Sequence, residues 1–138
     1  VFSFCMCPGG MIIPASTEKK SLVVNGMSSS NRGSAFANSG IVVSINPQDV
    51  KEYSKQPALS LMKFQQECEQ KIYIHNQTSP AQRISDFIRN KPSNNISATS
   101  YPSGLQACNM NDYLPRIIAE HLKEGFKVFP SFLLILPR

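Results

Sequence analysis

Residues 1–10 read VFSFCMCPGG. Phe2, Phe4 and Met6 alternate with Ser3, Cys5 and Cys7, and successive side chains of an extended strand point to opposite sides of it. The spacing predicts a strand over residues 1–7, its aromatic set turned to a core and a small, mildly polar face opposite. Pro8-Gly9-Gly10 follows. A residue with preset φ, then two that accept positive φ, is what a tight turn requires. The apolar MIIPA of residues 11–15 returns as a second strand, confined to an edge or a bulge because Pro14 has no N–H to donate. A polar turn at residues 17–20 leads into SLVVNGM, residues 21–27, as a third strand. Three strands joined by short turns predict an antiparallel meander.

Beyond it, residues 28–39 (SSSNRGSAFANS) break the pattern, and GIVVSI at residues 40–45 resumes it as a strand. From residue 57 the period changes. Leu61, Phe64, Cys68, Ile72 and His75 recur at helical spacing and predict an amphipathic helix over residues 57–75. SPAQ at residues 79–82 has the form of a helix start: Ser79 as N-cap, Pro80 in the first turn and Gln82 closing a capping box. That short helix would run to Asn90 with Ile84, Phe87 and Ile88 inward. Residues 91–104 form a loop. Asn111 or Asp112 caps a last long helix in which Ile117, Ile118, Leu122 and Phe126 share a face, and Pro115 is tolerated in its first turn. PSFLLILPR, residues 130–138, reads as a short apolar strand. The fold class is α+β: an antiparallel sheet of four to five strands with three helices packed on one side.

The 138 residues, 41% of them apolar, suit one domain over residues 1–138, long enough to bury roughly two-thirds of its unfolded surface. No apolar run approaches the roughly 20 residues that span a bilayer, so no membrane partner is expected. Residues 1–7 lack a basic leader region and run into Pro-Gly-Gly. The chain begins at Val1 rather than methionine, as a segment of a longer protein would. Its net charge of +5 is spread along the chain without a dense basic block. A solvated surface is the plainer reading of that pattern, and a nucleic-acid partner is not expected.

Four cysteines raise the question of chemistry. On a strand, Cys5 and Cys7 would hold their Cβ atoms roughly 6.6 Å apart and parallel, whereas a disulfide wants about 3.5–4.5 Å. Zinc would have to recruit Cys68, Cys108, His75 or His121, none at finger-like spacing, so no metal is expected. Four thiols without a framework point to a reducing, cytoplasmic compartment. Two readings stay open for Cys5 and Cys7: packed core residues, or a small polar face approached by a ligand or a second domain. Residues 25–38 (NGMSSSNRGSAFAN) set amide and hydroxyl donors, Asn25 and Asn38 among them, around one cation, Arg32. That is either an anion nest or a surface loop. No GxxxxGK[ST] or GxGxxG occurs. Asp86, three residues after Arg83, is either its ion-pair partner or leaves Arg83 as an anion clamp beside Gln82. His75 and His121 fall on half-buried helix faces and read as structural.

Taken together, SFCMCPGG at residues 3–10, NGMS at 25–28, Arg32, FANSGIVV at 36–43, SPAQRISDF at 79–87 and SYPSG at 100–104 stand in one order. Leu114-Pro115, Ala119, Leu122 and Gly125-Phe126 follow. The set resembles a family of uncharacterised FAD-dependent dehydrogenases over most of residues 1–129. In that family the corresponding segment is inserted in a two-part dinucleotide-binding fold, with a glycine-rich ADP-binding motif before it and further FAD-binding sequence after it. The closing PSFLLILPR departs from that pattern. The resemblance implies the substrate-binding or cap domain of an FAD-dependent oxidoreductase, covering the flavin while hydride passes between substrate and cofactor. It implies FAD in the full-length protein and none bound by this chain alone. The partners implied are the FAD-binding domain of the same protein and a small-molecule substrate. Cys5 and Cys7 would line the flavin side as catalytic candidates, and Asn25, Arg32, Asn38, Gln82 and Arg83 would bind substrate, with Arg32 or Arg83 on an anionic group. The alternative from the residues alone is a non-catalytic basic module that takes RNA or a protein partner.

Overall fold

The computed structural model describes the backbone of residues 1–133, and their side chains apart from Cys5 and residues 129–133. The α+β class holds: four short strands occupy the first third of the chain, and helices predominate beyond it with one further pair of three-residue strands between them. The expected single sheet of four to five strands does not form. Strand β1, Phe2–Cys7, pairs antiparallel with β4, Asn38–Val42. Strand β2, Gly10–Pro14, pairs antiparallel with β3, Val24–Ser28. Among the described residues the remaining pair is parallel, β5 (Ser79–Ala81) with β6 (Leu105–Ala107).

The hydrogen bonds explain why β1 and β2 do not join. The outer edge of β2 is already occupied, because Gly10 N–H donates to Phe36 O at 2.7 Å and Ile12 N–H to Ser100 Oγ at 3.0 Å. A strand whose edge donors are taken by loops cannot also accept a neighbour there. The meander therefore stops at the β2–β3 hairpin, and β1 reaches past it to β4.

The first strand also carries a bulge. Its register moves from Phe4 opposite Gly40 to Met6 opposite Ser39, which leaves Cys5 as the extra residue. One extra residue inverts the alternation beyond it. Phe2 and Phe4 share a side with Val42 and Gly40, and Cys7, opposite Asn38, comes to that same side while Met6 joins Ser3. Strict alternation over residues 1–7 is thus overturned. So is the inward aromatic face: Phe2, Phe4 and Met6 are 54%, 58% and 73% exposed.

The core sits under the helices. Leu22, Val50, Phe64, Phe87, Tyr101 and Ala119 are buried. A 3-10 turn, Pro47–Tyr53, brings Val50 inward and sets Tyr53 edge-on to Phe64 at 5.0 Å between ring centres. Phe64 belongs to α1, Ser60–Lys71, which is entered through a second 3-10 turn, Pro57–Leu59. Leu22 N–H donates to Glu69 O at 2.9 Å and ties the approach to β3 onto α1. Leu22, Val50, Phe64 and Phe87 each stabilise by roughly 1.5–3 kcal/mol through burial. His75 lies past the end of α1 and is exposed, contrary to its expected place on a half-buried helix face.

The expected helix over residues 79–90 shrinks to α2, Ile84–Ile88. Ser79-Pro80-Ala81 is drawn into the parallel pair instead, with Ser79 N–H on Gly104 O and Cys108 N–H on Ala81 O. Arg83 takes the N-cap position. The last helix, α3, spans Arg116–Leu133, so Pro115 stands just before it and its carbonyl accepts from Ala119 N–H at 3.0 Å. α3 packs on α2 through Phe126, edge-on to Phe87 at 6.2 Å. His121, expected half-buried, is exposed with Nδ1 at 2.7 Å from Ile117 O. Residues 130–133 are helical rather than strand, and the rest of PSFLLILPR lies outside the described residues. No helix among the described residues is long and apolar enough to cross a membrane.

Candidate functional site

The loop between β3 and β4 folds back over the Pro8-Gly9 turn. Ser28 Oγ donates to Pro8 O at 2.9 Å, and Ser34 Oγ donates to Gly10 O at 3.1 Å while accepting from Phe36 N–H. Asn31 Oδ1 accepts from Ser29 Oγ at 2.6 Å and from Gly33 N–H at 3.2 Å. Arg32 N–H donates to Ser29 O, with Arg32 itself at φ 48°. The approach is close: a Cβ on Gly9, itself at φ +55°, would stand 1.7 Å from Arg32 O. Only glycine fits that contact and that backbone angle. Several donors that suggested an anion nest are therefore engaged in clamping loop to turn, and the Arg32 side chain is exposed.

Asn38 sits where the two ribbons meet. Its Nδ2 donates to Met11 O at 3.3 Å, and its Oδ1 lies 1.9 Å from where a Cβ on Gly26 would be. Cys7 faces Asn38 across the ladder as a half-buried free thiol. Asn25 is exposed on β3 opposite Ile13, one residue from Gly26 and so on the other face. The Cys5 side chain lies outside the described residues.

Gln82 and Arg83 belong to a different part of the molecule. The Gln82 amide is a crosspiece: Nε2 donates to Lys91 O at 2.6 Å and Oε1 accepts from Met110 N–H at 2.8 Å. Ser93, nearly fully buried, accepts from Arg83 N–H at 2.9 Å and donates to Asp86 Oδ2 at 2.7 Å. Asp86 thus holds Ser93 where an Arg83 ion pair was one expectation, and the Arg83 side chain is exposed. An apolar cavity of about 170 Å³ lies beside them between α2 and α3, bounded by Gln82, Phe87, Met110, Leu114, Leu122 and Phe126.

The remaining thiols are packed rather than activated. Burial pushes Cys68 up, with the Glu67 carboxylate adding to it, and burial likewise pushes Cys108 up. A raised thiol is a weak nucleophile at neutral pH. No group of three or more His, Cys, Asp or Glu side chains gathers to hold a metal among the described residues.

One hub was not read from the sequence. Tyr101, buried, donates its hydroxyl to Gln77 O at 2.6 Å. The Gln77 amide donates to Ser21 O at 3.3 Å and accepts from Ser16 Oγ at 3.1 Å. The SYPSG stretch was a signal for Tyr101. Nothing in the sequence marks Gln77, which sits at φ 60°.

The family model for FAD-dependent protein, C-terminal domain-like, matches residues 1–133. An uncharacterised protein of Clostridium beijerinckii is 35% identical over 127 residues, which is 91% of this chain and 24% of that protein. The chain therefore spans about a quarter of the length of the curated relative it matches. The pyrophosphate of FAD sits on a glycine-tight turn running into a helix N-terminus. The helices here start after Leu59, Arg83 and Pro115, so the described residues do not fit that role. The match over residues 1–133 nevertheless decides the relationship: the chain belongs to the family of FAD-dependent protein C-terminal domains.

Proposed function

We propose that this chain is the substrate-side domain of an FAD-dependent oxidoreductase, a segment of a longer protein that binds the cofactor elsewhere. The observation that carries the reading is Arg32, an exposed cation whose backbone is pinned on Gly9, in a domain of an FAD-dependent family. A guanidinium matches carboxylate or phosphate with paired hydrogen bonds, and because the backbone beneath it is already fixed, binding has only the side chain left to order. Cys7 and Asn38 lie in the same β layer and would form a small, mildly polar wall there. In this role the domain holds the anionic end of a substrate and excludes water, while the cofactor supplies hydride chemistry.

The test uses the full-length protein. Flavin is expected in it at one equivalent, and the isolated chain should be colourless. Titrating small carboxylates and inorganic phosphate should perturb the flavin spectrum of the wild type and not that of Arg32→Ala. Equal perturbation in both overturns the role given to Arg32. A full-length protein without flavin overturns the flavoprotein reading.

A further inference from the structure

We propose that the exposed apolar side chains of β1, Phe2, Phe4 and Met6, are the surface on which this domain docks against the FAD-binding part of the same polypeptide. The inference rests on the reading of the chain as one domain of a larger flavoprotein. Three large apolar residues stand exposed along six residues of one strand. Scattered apolar residues on a surface need no explanation, but three large ones exposed on a single short strand mark an interaction site. The bulge sharpens this, because the register turns Phe2 and Phe4 to one side of the strand and Met6 to the other. Apolar residues on both sides are the pattern of a strand buried on both faces. Here β1 has β4 as its ladder partner in a ribbon of two strands, and two strands alone are marginal in water.

The curated relative holds roughly three-quarters of its length outside the part matched here, so a partner domain on the same polypeptide is the occupant, its effective concentration raised by the covalent link. The edge of β2, by contrast, is covered from within by Phe36 O and Ser100. The chain protects one of its two ribbons by itself and leaves the other for a partner.

The experiment compares backbone hydrogen exchange of residues 2–7 in the full-length protein and in the isolated chain. Exchange at least tenfold slower in the full-length protein is expected. In the full-length protein, Phe4→Ser combined with Met6→Ser should remove that protection and raise proteolytic cleavage between the domains by about tenfold. The same pair should leave the melting temperature of the isolated chain nearly unchanged, because both side chains are exposed there. If the isolated chain does not fold, the comparison of wild type with the double variant in the full-length protein decides alone. Flavin present with residues 2–7 unprotected overturns the docking surface and leaves the flavoprotein reading standing. Residues 2–7 protected without flavin does the reverse. Protection in the isolated chain that appears only as its concentration rises means a second copy occupies the strand, and overturns the proposal.

Discussion

Replacing Gly26 with alanine tests the join between the two ribbons. The new methyl would stand 1.9 Å from Asn38 Oδ1 and 2.9 Å from its Cγ, far inside contact distance, so the Asn38 amide must swing away. Its bond to Met11 O is then lost, at about 0.5–1.5 kcal/mol for a typical hydrogen bond. Overpacking adds roughly 1–3 kcal/mol. Gly26→Ala alone should therefore destabilise by about 2–4 kcal/mol. Asn38→Ala alone should cost about 1 kcal/mol for the lost bond. In the double variant the obstacle is gone, and stability should return close to that of Asn38→Ala. A double-mutant cycle by urea denaturation would then show a coupling of about 2–4 kcal/mol in magnitude. Gly9→Ala is the matched control. Its methyl would meet the Arg32 backbone oxygen at 1.7 Å, which no trimming of the Arg32 side chain removes, so Arg32→Ala should give no rescue. Additive effects of Gly26→Ala and Asn38→Ala, or rescue of Gly9→Ala by Arg32→Ala, would refute this account of the β layer.

Phe87 is 4% exposed, edge-on to Phe126, with Lys123 Nζ 5.2 Å from its ring centre. Phe87→Ala should cost about 3–5 kcal/mol, read as a lower urea midpoint, and a loss below about 1.5 kcal/mol would place the ring outside the core. Burial raises the Cys68 and Cys108 thiols, so folding favours their neutral forms. That stabilisation is complete below the ordinary thiol range and is lost as pH climbs through the raised values. Stability should fall as pH rises above the ordinary thiol range, about 8.5, and less steeply in Cys68→Ala. An unchanged slope in that variant would remove Cys68 as a source.

Several elements were legible from local pattern. The helical spacing of Leu61, Phe64 and Cys68 marks α1, and Ile118, Leu122 and Phe126 mark α3, because an amphipathic helix needs only a nearby apolar surface. The β2–β3 hairpin was readable for the same reason, since its partners lie within a few residues of a turn. The ordered run of motifs carried the family. SPAQ misled because a capping pattern competes with pairing across the sequence: the parallel partner at Leu105–Ala107 satisfies the same backbone groups that a helix start would.

What the sequence by itself determined is therefore the α+β class, the cores of the two long helices, the β2–β3 hairpin and the family. Each is written in residues close together in the chain or in the order of short motifs. Only the tertiary structure decided the partner of β1, the bulge at Cys5, the crosspiece made by Gln82 and the seating of Asn38 over Gly26. All four depend on which backbone donors and acceptors other segments have already taken. The exposure of Phe2, Phe4 and Met6 has the same origin: alternation says that a strand has two sides, and only packing says which side, if either, is covered.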